Sequence, residues 1–163
     1  MFDYSYMAAL FLLLILISVY LAPKIKKILY RIKLYKSGLD NIDNGYDFED
    51  YIVSLLRRNG FRKVRTTPKS GDYGADIIAE KDGEMYAVQC KLYGKSVGVK
   101  AVQEVFSAMQ YYNCHAAVVA TNSRFSRNAM NLADSTGTIL WDRDVLVDMA
   151  AGKAGKTNRA SKK

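Results

Sequence analysis

DIIAEKDGEMYAVQCK, residues 76–91, holds two alternating runs on either side of Lys81-Asp82-Gly83-Glu84. An Asp-Gly pair between such runs is a strong signal for a two-residue hairpin. The turn fixes a register: Lys81 opposes Glu84, Glu80 opposes Met85, and stepping back places Asp76 opposite Gln89. Opposed side chains share a face, with Cβ atoms about 4.5–5.5 Å apart. By alternation, Ala75, Ile77 and Ala79 lie with Val88, Cys90 and Leu92 on an apolar face. Asp76, Gln89 and Lys91 are expected on the other.

Those three polar groups suit one kind of chemistry. A hard divalent cation such as Mg²⁺ or Mn²⁺ takes oxygen ligands, keeps several waters and needs only one or two carboxylates. Asp76 supplies a carboxylate, Gln89 an amide oxygen, and the Cys90 backbone carbonyl a third donor. The cation can polarise a phosphoryl oxygen and acidify a water. Lys91 can steady the attacking water or neutralise charge on the phosphate. An ordinary solvated hairpin face carrying the same residues by chance is the alternative.

Periodicity organises the rest. In GYDFEDYIVSLLRRNGF, Phe48, Tyr51, Ile52, Leu55 and Leu56 form one helical stripe, with Gly60 placed to end it and Glu49 at its margin. FRKVRTTP, ADIIAE and MYAVQCKLY read as strands, the first two joined by the glycine-rich SGDYG. VKAVQEVFSAMQYYN is helical, HAAVVAT a buried strand, SRFSRNAMNLADS helical, TGTILW a strand and DVLVDMA a closing helix. The order predicts an α/β fold, a mixed sheet with helices on both faces.

From about Gly45 to Met149 the chain resembles the Mrr-type restriction endonucleases, within the wider PD-(D/E)xK nucleases. The matching stretches are GYDFEDYIVSLLRRNGF, TPKSGDYGADIIAE, YAVQCK and FSRNAMNLADSTGTILWD. The resemblance implies a restriction-endonuclease-like core and divalent-metal-dependent cleavage of double-stranded DNA, foreign or modified. Asp76 would be a metal ligand, Gln89-Cys90-Lys91 the (E/Q)xK tripeptide, and Glu49 the first-helix acid completing the metal site. A degenerate, non-catalytic DNA-binding module on the same fold is the rival, and a relative acting on branched DNA or RNA another. A homodimer is expected if both strands are cut.

Weaker candidates surround this set. Lys69, Ser70 and Tyr73 precede Asp76 and can contact phosphate. Gln103 can face the cleft from its helix. Arg124 and Arg127 can meet backbone phosphates at a helix start. Each also reads as a solvated position, the preferred reading for Arg124 and Arg127, and His115 reads as a satisfied strand-end residue.

The net charge of +8 is uneven. Residues 23–36 hold six Lys/Arg and residues 151–163 five, both without acids, whereas residues 37–152 hold 13 basic and 15 acidic residues. The basicity therefore says nothing of a groove in the core. Residues 4–22 carry no charge and as a helix would span about 28 Å, near the thickness of a bilayer core. We expect a transmembrane anchor over 1–22, a basic juxtamembrane linker over 23–44, the nuclease domain over 45–150 and a basic disordered tail over 151–163. A cleaved signal peptide and a buried helix are the alternatives. Ile25, Ile28, Leu29 and Ile32 fall on one face of a short helix able to lie on anionic lipid. The positive-inside rule then puts the domain in the cytoplasm, at the inner membrane. One histidine and two cysteines leave almost no ligands for structural zinc.

Overall fold

The computed structural model describes residues 4–68 and 71–152. The chain divides into two units between Lys36 and Ser37. In the first, helix α1 (Tyr4–Ser37) runs without a break through Pro23. The expected anchor and amphipathic helix are therefore parts of one helix: proline removes a single backbone donor there without ending it. Leu10 to Leu14 are exposed, as are Phe11, Tyr20 and Ile25. Among the described residues, no helix is long and apolar enough to cross a membrane, so the expected transmembrane span is not borne out. The expected tail lies almost wholly outside the described residues.

In the second unit, a short 3₁₀ turn (Leu39–Asn41), within the stretch expected to be linker, precedes α2 (Gly45–Arg58). Leu39 is buried there and Asp40 pairs with Arg143. Asn44 caps α2 by accepting the Asp47 N–H at 3.0 Å. Phe48, Ile52, Leu55 and Leu56 are at most 2% exposed, and each such side chain contributes roughly 1.5–3 kcal/mol of burial. This stripe sets the rotation of α2 and with it the direction of Glu49. Gly60, at φ 84°, closes the helix where expected.

The strands β1 (Arg62–Thr66), β2 (Ile77–Lys81), β3 (Glu84–Lys91), β4 (Ala116–Thr121) and β5 (Ile139–Trp141) form one mixed sheet in that order. The first three pair antiparallel, and β3, β4 and β5 run parallel. The parallel pairs need crossovers, supplied by α3 (Val99–Tyr111) and α4 (Arg127–Thr136); α5 (Arg143–Ala150) ends the fold. The hairpin register is as read from the turn, from Lys81↔Glu84 to Ile77↔Val88. Asp82 and Gly83 both have positive φ, 54° and 83°, as a type I′ turn requires.

One face was misread. Ile78 and Ala87 share their face with Gln89 by alternation, yet they are buried under α3 in a core with Val102, Val105 and Val119. Gln89 itself is only 4% exposed. The hairpin is covered on both sides, and its polar groups sit at the rim of a core rather than on a solvated face.

Candidate active site

Asp76 stands one residue before β2, and its backbone still belongs to the ladder: its N–H donates to the Val88 carbonyl at 2.8 Å. Its carboxylate Oδ2 accepts the Cys90 N–H at 2.6 Å and a second bond from Gln89 Nε2. The aspartate side chain thus takes the place that a further β2 residue would have filled beside Cys90. An extended residue points its N–H and C=O to the same side, so the Cys90 carbonyl also faces the Asp76 edge. Burial pushes the Asp76 carboxyl above the ordinary carboxylate range and Asp72 adds to this, against the opposing pull of the Cys90 N–H, Lys91 and Gln89. A bound cation would oppose that rise by favouring the charged form.

Lys91 has a partner that sequence reasoning missed. Its Nζ lies 3.1 Å from Glu104 on α3, which also meets Lys100 at 3.7 Å. Gly74 locks this arrangement. Its φ is 93°, and a Cβ there would come within 2.6 Å of the Glu104 backbone oxygen. The loop before Asp76 is therefore pressed onto α3 at the residue that holds Lys91. The available signal was Glu104's place between buried Val102 and Val105, at the margin of the apolar stripe.

Two adjoining cavities meet at Asp72, a second carboxylate that the sequence reading did not single out. One, of about 360 Å³, is lined by Glu49, Thr67, Asp72 and Asp76. The other is lined by Asp72, Gln89, Lys91, Gln103 and Glu104. Glu49 and Asp76 act together on the Cys90 thiol: burial raises its pKa well above the ordinary value, and both carboxylates add to the shift. Among the described residues, no group of three or more His, Cys, Asp and Glu could hold a metal by itself. The donor set still fits a hard cation, which needs only one or two carboxylates. Asp76 and Glu49 line one cavity, and Gln89 and Cys90 meet the Asp76 carboxylate from β3. Gln89 turns its nitrogen, not its oxygen, to Asp76, so ligation through the amide oxygen needs that group to flip.

The other candidates divide. Gln103 is exposed and lines the cavity that holds Lys91. Arg124 is not gathered there; it lines a separate cavity with Phe125 and Met130. Arg127 begins α4 and is exposed. Lys69 and Ser70 lie outside the described residues. His115 Nδ1 accepts the Met85 N–H at 2.9 Å, a satisfied strand-end residue as read.

Comparison with known proteins agrees with this architecture. The Mrr-type catalytic family, described as restriction endonuclease, matches residues 39–150. No curated protein matches. Among solved structures, a protein of unknown function, AF1548, is 23% identical with a TM-score of 0.54, covering 63% of this chain and 65% of that one. The DNA modification-dependent restriction endonuclease AspBHI is 19% identical with a TM-score of 0.57, covering 80% of this chain and 37% of that one. MspJI restriction endonuclease, solved with a 27-mer oligonucleotide, is 17% identical with a TM-score of 0.47, covering 88% and 32%. The chain thus spans less than two thirds of each of these proteins, and at such identities the likeness concerns the fold. The sheet order, the hairpin and the family match over 39–150 converge on one assignment: the chain belongs to the Mrr-type restriction endonuclease family.

Proposed function

We propose that the chain is a divalent-metal-dependent DNA endonuclease tethered to a membrane. The observation that carries the nuclease reading is the meeting of Asp76, Gln89 and the Cys90 N–H at the end of β2, with Lys91 one residue further along β3 and Glu49 on the shared cavity. Asp76, Glu49, Gln89 and the Cys90 carbonyl would hold Mg²⁺ or Mn²⁺, which supplies Lewis-acid polarisation of a phosphoryl oxygen and acidifies a water. Lys91 faces the scissile phosphate and neutralises charge developing there. Glu104 keeps Lys91 in place until the phosphate competes for it.

The substrate proposed is double-stranded DNA, foreign or modified, cut by a homodimer. The tether rests on helix α1, whose uncharged stretch from Tyr4 to Ala22 presents Leu10, Phe11, Leu12, Leu13, Leu14 and Leu16 outward. The six basic residues that follow in 23–36 add attraction to anionic lipid, so the proposed place is the cytoplasmic face of the inner membrane.

A second reading, a non-catalytic DNA-binding module, is favoured by one detail: the Asp76–Gln89 pair satisfies itself without a metal. Incubating the full chain in detergent with plasmid and Mg²⁺ or Mn²⁺ separates the two. Cleavage that EDTA stops supports the endonuclease; binding without cleavage under every metal supports the module.

A further inference from the structure

Tyr73, read from the sequence as able to contact phosphate, and Tyr111 have no part in the proposed metal site. The rings of Tyr73 and Tyr111 stack at 3.9 Å between centroids, 26° from parallel, although each is 57% exposed. Stacked aromatic pairs ordinarily save area by burial; this one is presented to solvent. Tyr111 also meets Tyr112 in a T-shaped contact at 4.9 Å. The face of Tyr73 turned away from Tyr111 is the one proposed for a third partner.

The backbone is built to put that ring there. Tyr73 sits at φ 51°, a region that a bulky residue rarely adopts and that clusters at ligand sites. The turn around it is over-determined. Asp72 Oδ1 accepts the Gly74 N–H at 3.1 Å and the Asp72 carbonyl accepts the Tyr112 hydroxyl at 3.3 Å, while Gly74 is pressed onto Glu104. Tyr73 also lines the cavity of Gln89, Lys91, Lys100 and Gln103. An exposed aromatic face beside lysines is the pattern by which proteins hold single-stranded nucleic acid: the cations track phosphates and the ring stacks on a base.

We propose that Tyr73, backed by Tyr111, is a stacking platform for one unpaired nucleobase of the strand lying in the Lys91 cleft. Inside a duplex every base face is already covered by its neighbours. The platform therefore selects a strand with a base unstacked beside the phosphate contacted by Lys91, at an end, a gap or a distorted site. This deepens the nuclease reading and rests on it for the place of the phosphate.

The test reads binding alone, with the full chain in detergent and EDTA present. The probes are a single strand of roughly 12 nucleotides carrying 2-aminopurine, and a fully abasic backbone of equal length and charge. Stacking predicts quenched 2-aminopurine fluorescence and about 5- to 100-fold tighter binding of the base-bearing strand. Tyr73→Leu and Tyr111→Leu should lose most of that preference, and Tyr73→Phe should keep it. If Tyr73→Leu does not fold, Tyr111→Leu, on an exposed helix surface, decides. Equal binding of both probes by the wild type, or full preference in the leucine variants, overturns the proposal. A chain that prefers bases yet cuts nothing with any metal sinks the endonuclease reading and leaves this one; a chain that cuts but treats both probes alike sinks this one only.

Discussion

Lys91 of β3 and Glu104 of α3 form an ion pair at 3.1 Å across the mouth of the cleft, so the lysine proposed to meet phosphate is already neutralised by a residue from another element. The carboxylate competes with any incoming phosphate. Glu104→Gln should therefore raise DNA affinity several-fold at low salt and by less at high salt, where screening weakens the original pair. Lys91→Ala should abolish cleavage while the chain stays folded. Filter binding and plasmid cleavage check both; unchanged affinity in Glu104→Gln would show that the pair does not guard the lysine.

Gly74 holds the two elements together. Gly74→Ala adds a methyl group against the Glu104 backbone and forces a strained φ, which should cost about 1–3 kcal/mol of stability. Denaturant titration measures this. Retained stability would mean that the loop and α3 separate cheaply.

Asp76 is half-buried and its carboxyl is raised from 3.8, first by burial. A raised acid contributes stability that is fully present below its unfolded pKa and is lost as pH rises through its folded value. Asp76→Asn removes that loss and keeps an acceptor for the Cys90 N–H. It should be more stable than the metal-free wild type at pH 7, with the difference shrinking toward pH 4, yet inactive. Asp76→Ala should instead destabilise by about 1–3 kcal/mol, because Gln89 and the Cys90 N–H lose a buried partner. Thermal unfolding across this pH range, in EDTA, separates the two variants; a metal-free wild type that outlasts Asp76→Asn at pH 7 would contradict the burial argument.

Gln89→Glu replaces the donor to Asp76 with a second carboxylate. Without metal the two charges repel and the melting temperature should fall; Mg²⁺ should restore it by a larger margin than in the wild type. Glu49→Gln should be tolerated better in this background, since both positions would serve one charge requirement. A double-mutant cycle in metal affinity gives the coupling directly, and strictly additive losses would remove Glu49 from the site.

The Cys90 thiol is raised by burial, then by Asp76 and Glu49, and only the thiolate reacts readily. In a Cys114→Ser background, alkylation at pH 8 should be slow and should quicken in Glu49→Gln. An unchanged rate would place Glu49 too far from Cys90 to share a cation with Asp76.

Much of this molecule was legible in the chain itself. An Asp-Gly turn has few backbone solutions, so Asp82-Gly83 fixed the hairpin and aligned Asp76 with Gln89; the α2 stripe fixed where Glu49 points. Apolar periodicity likewise identified α3 and β4. What local pattern left open was everything that depends on contacts distant in sequence. That the face of Gln89 is roofed by α3 follows from two parallel crossovers, and alternation cannot tell a solvated face from a covered one. That Glu104 holds Lys91, and that Tyr73 stacks on Tyr111, depends on Gly74 letting a loop press against a helix some thirty residues later in the chain. Short-range sterics write turns and stripes into sequence; pairings between elements arise only when the core closes and brings their side chains within reach.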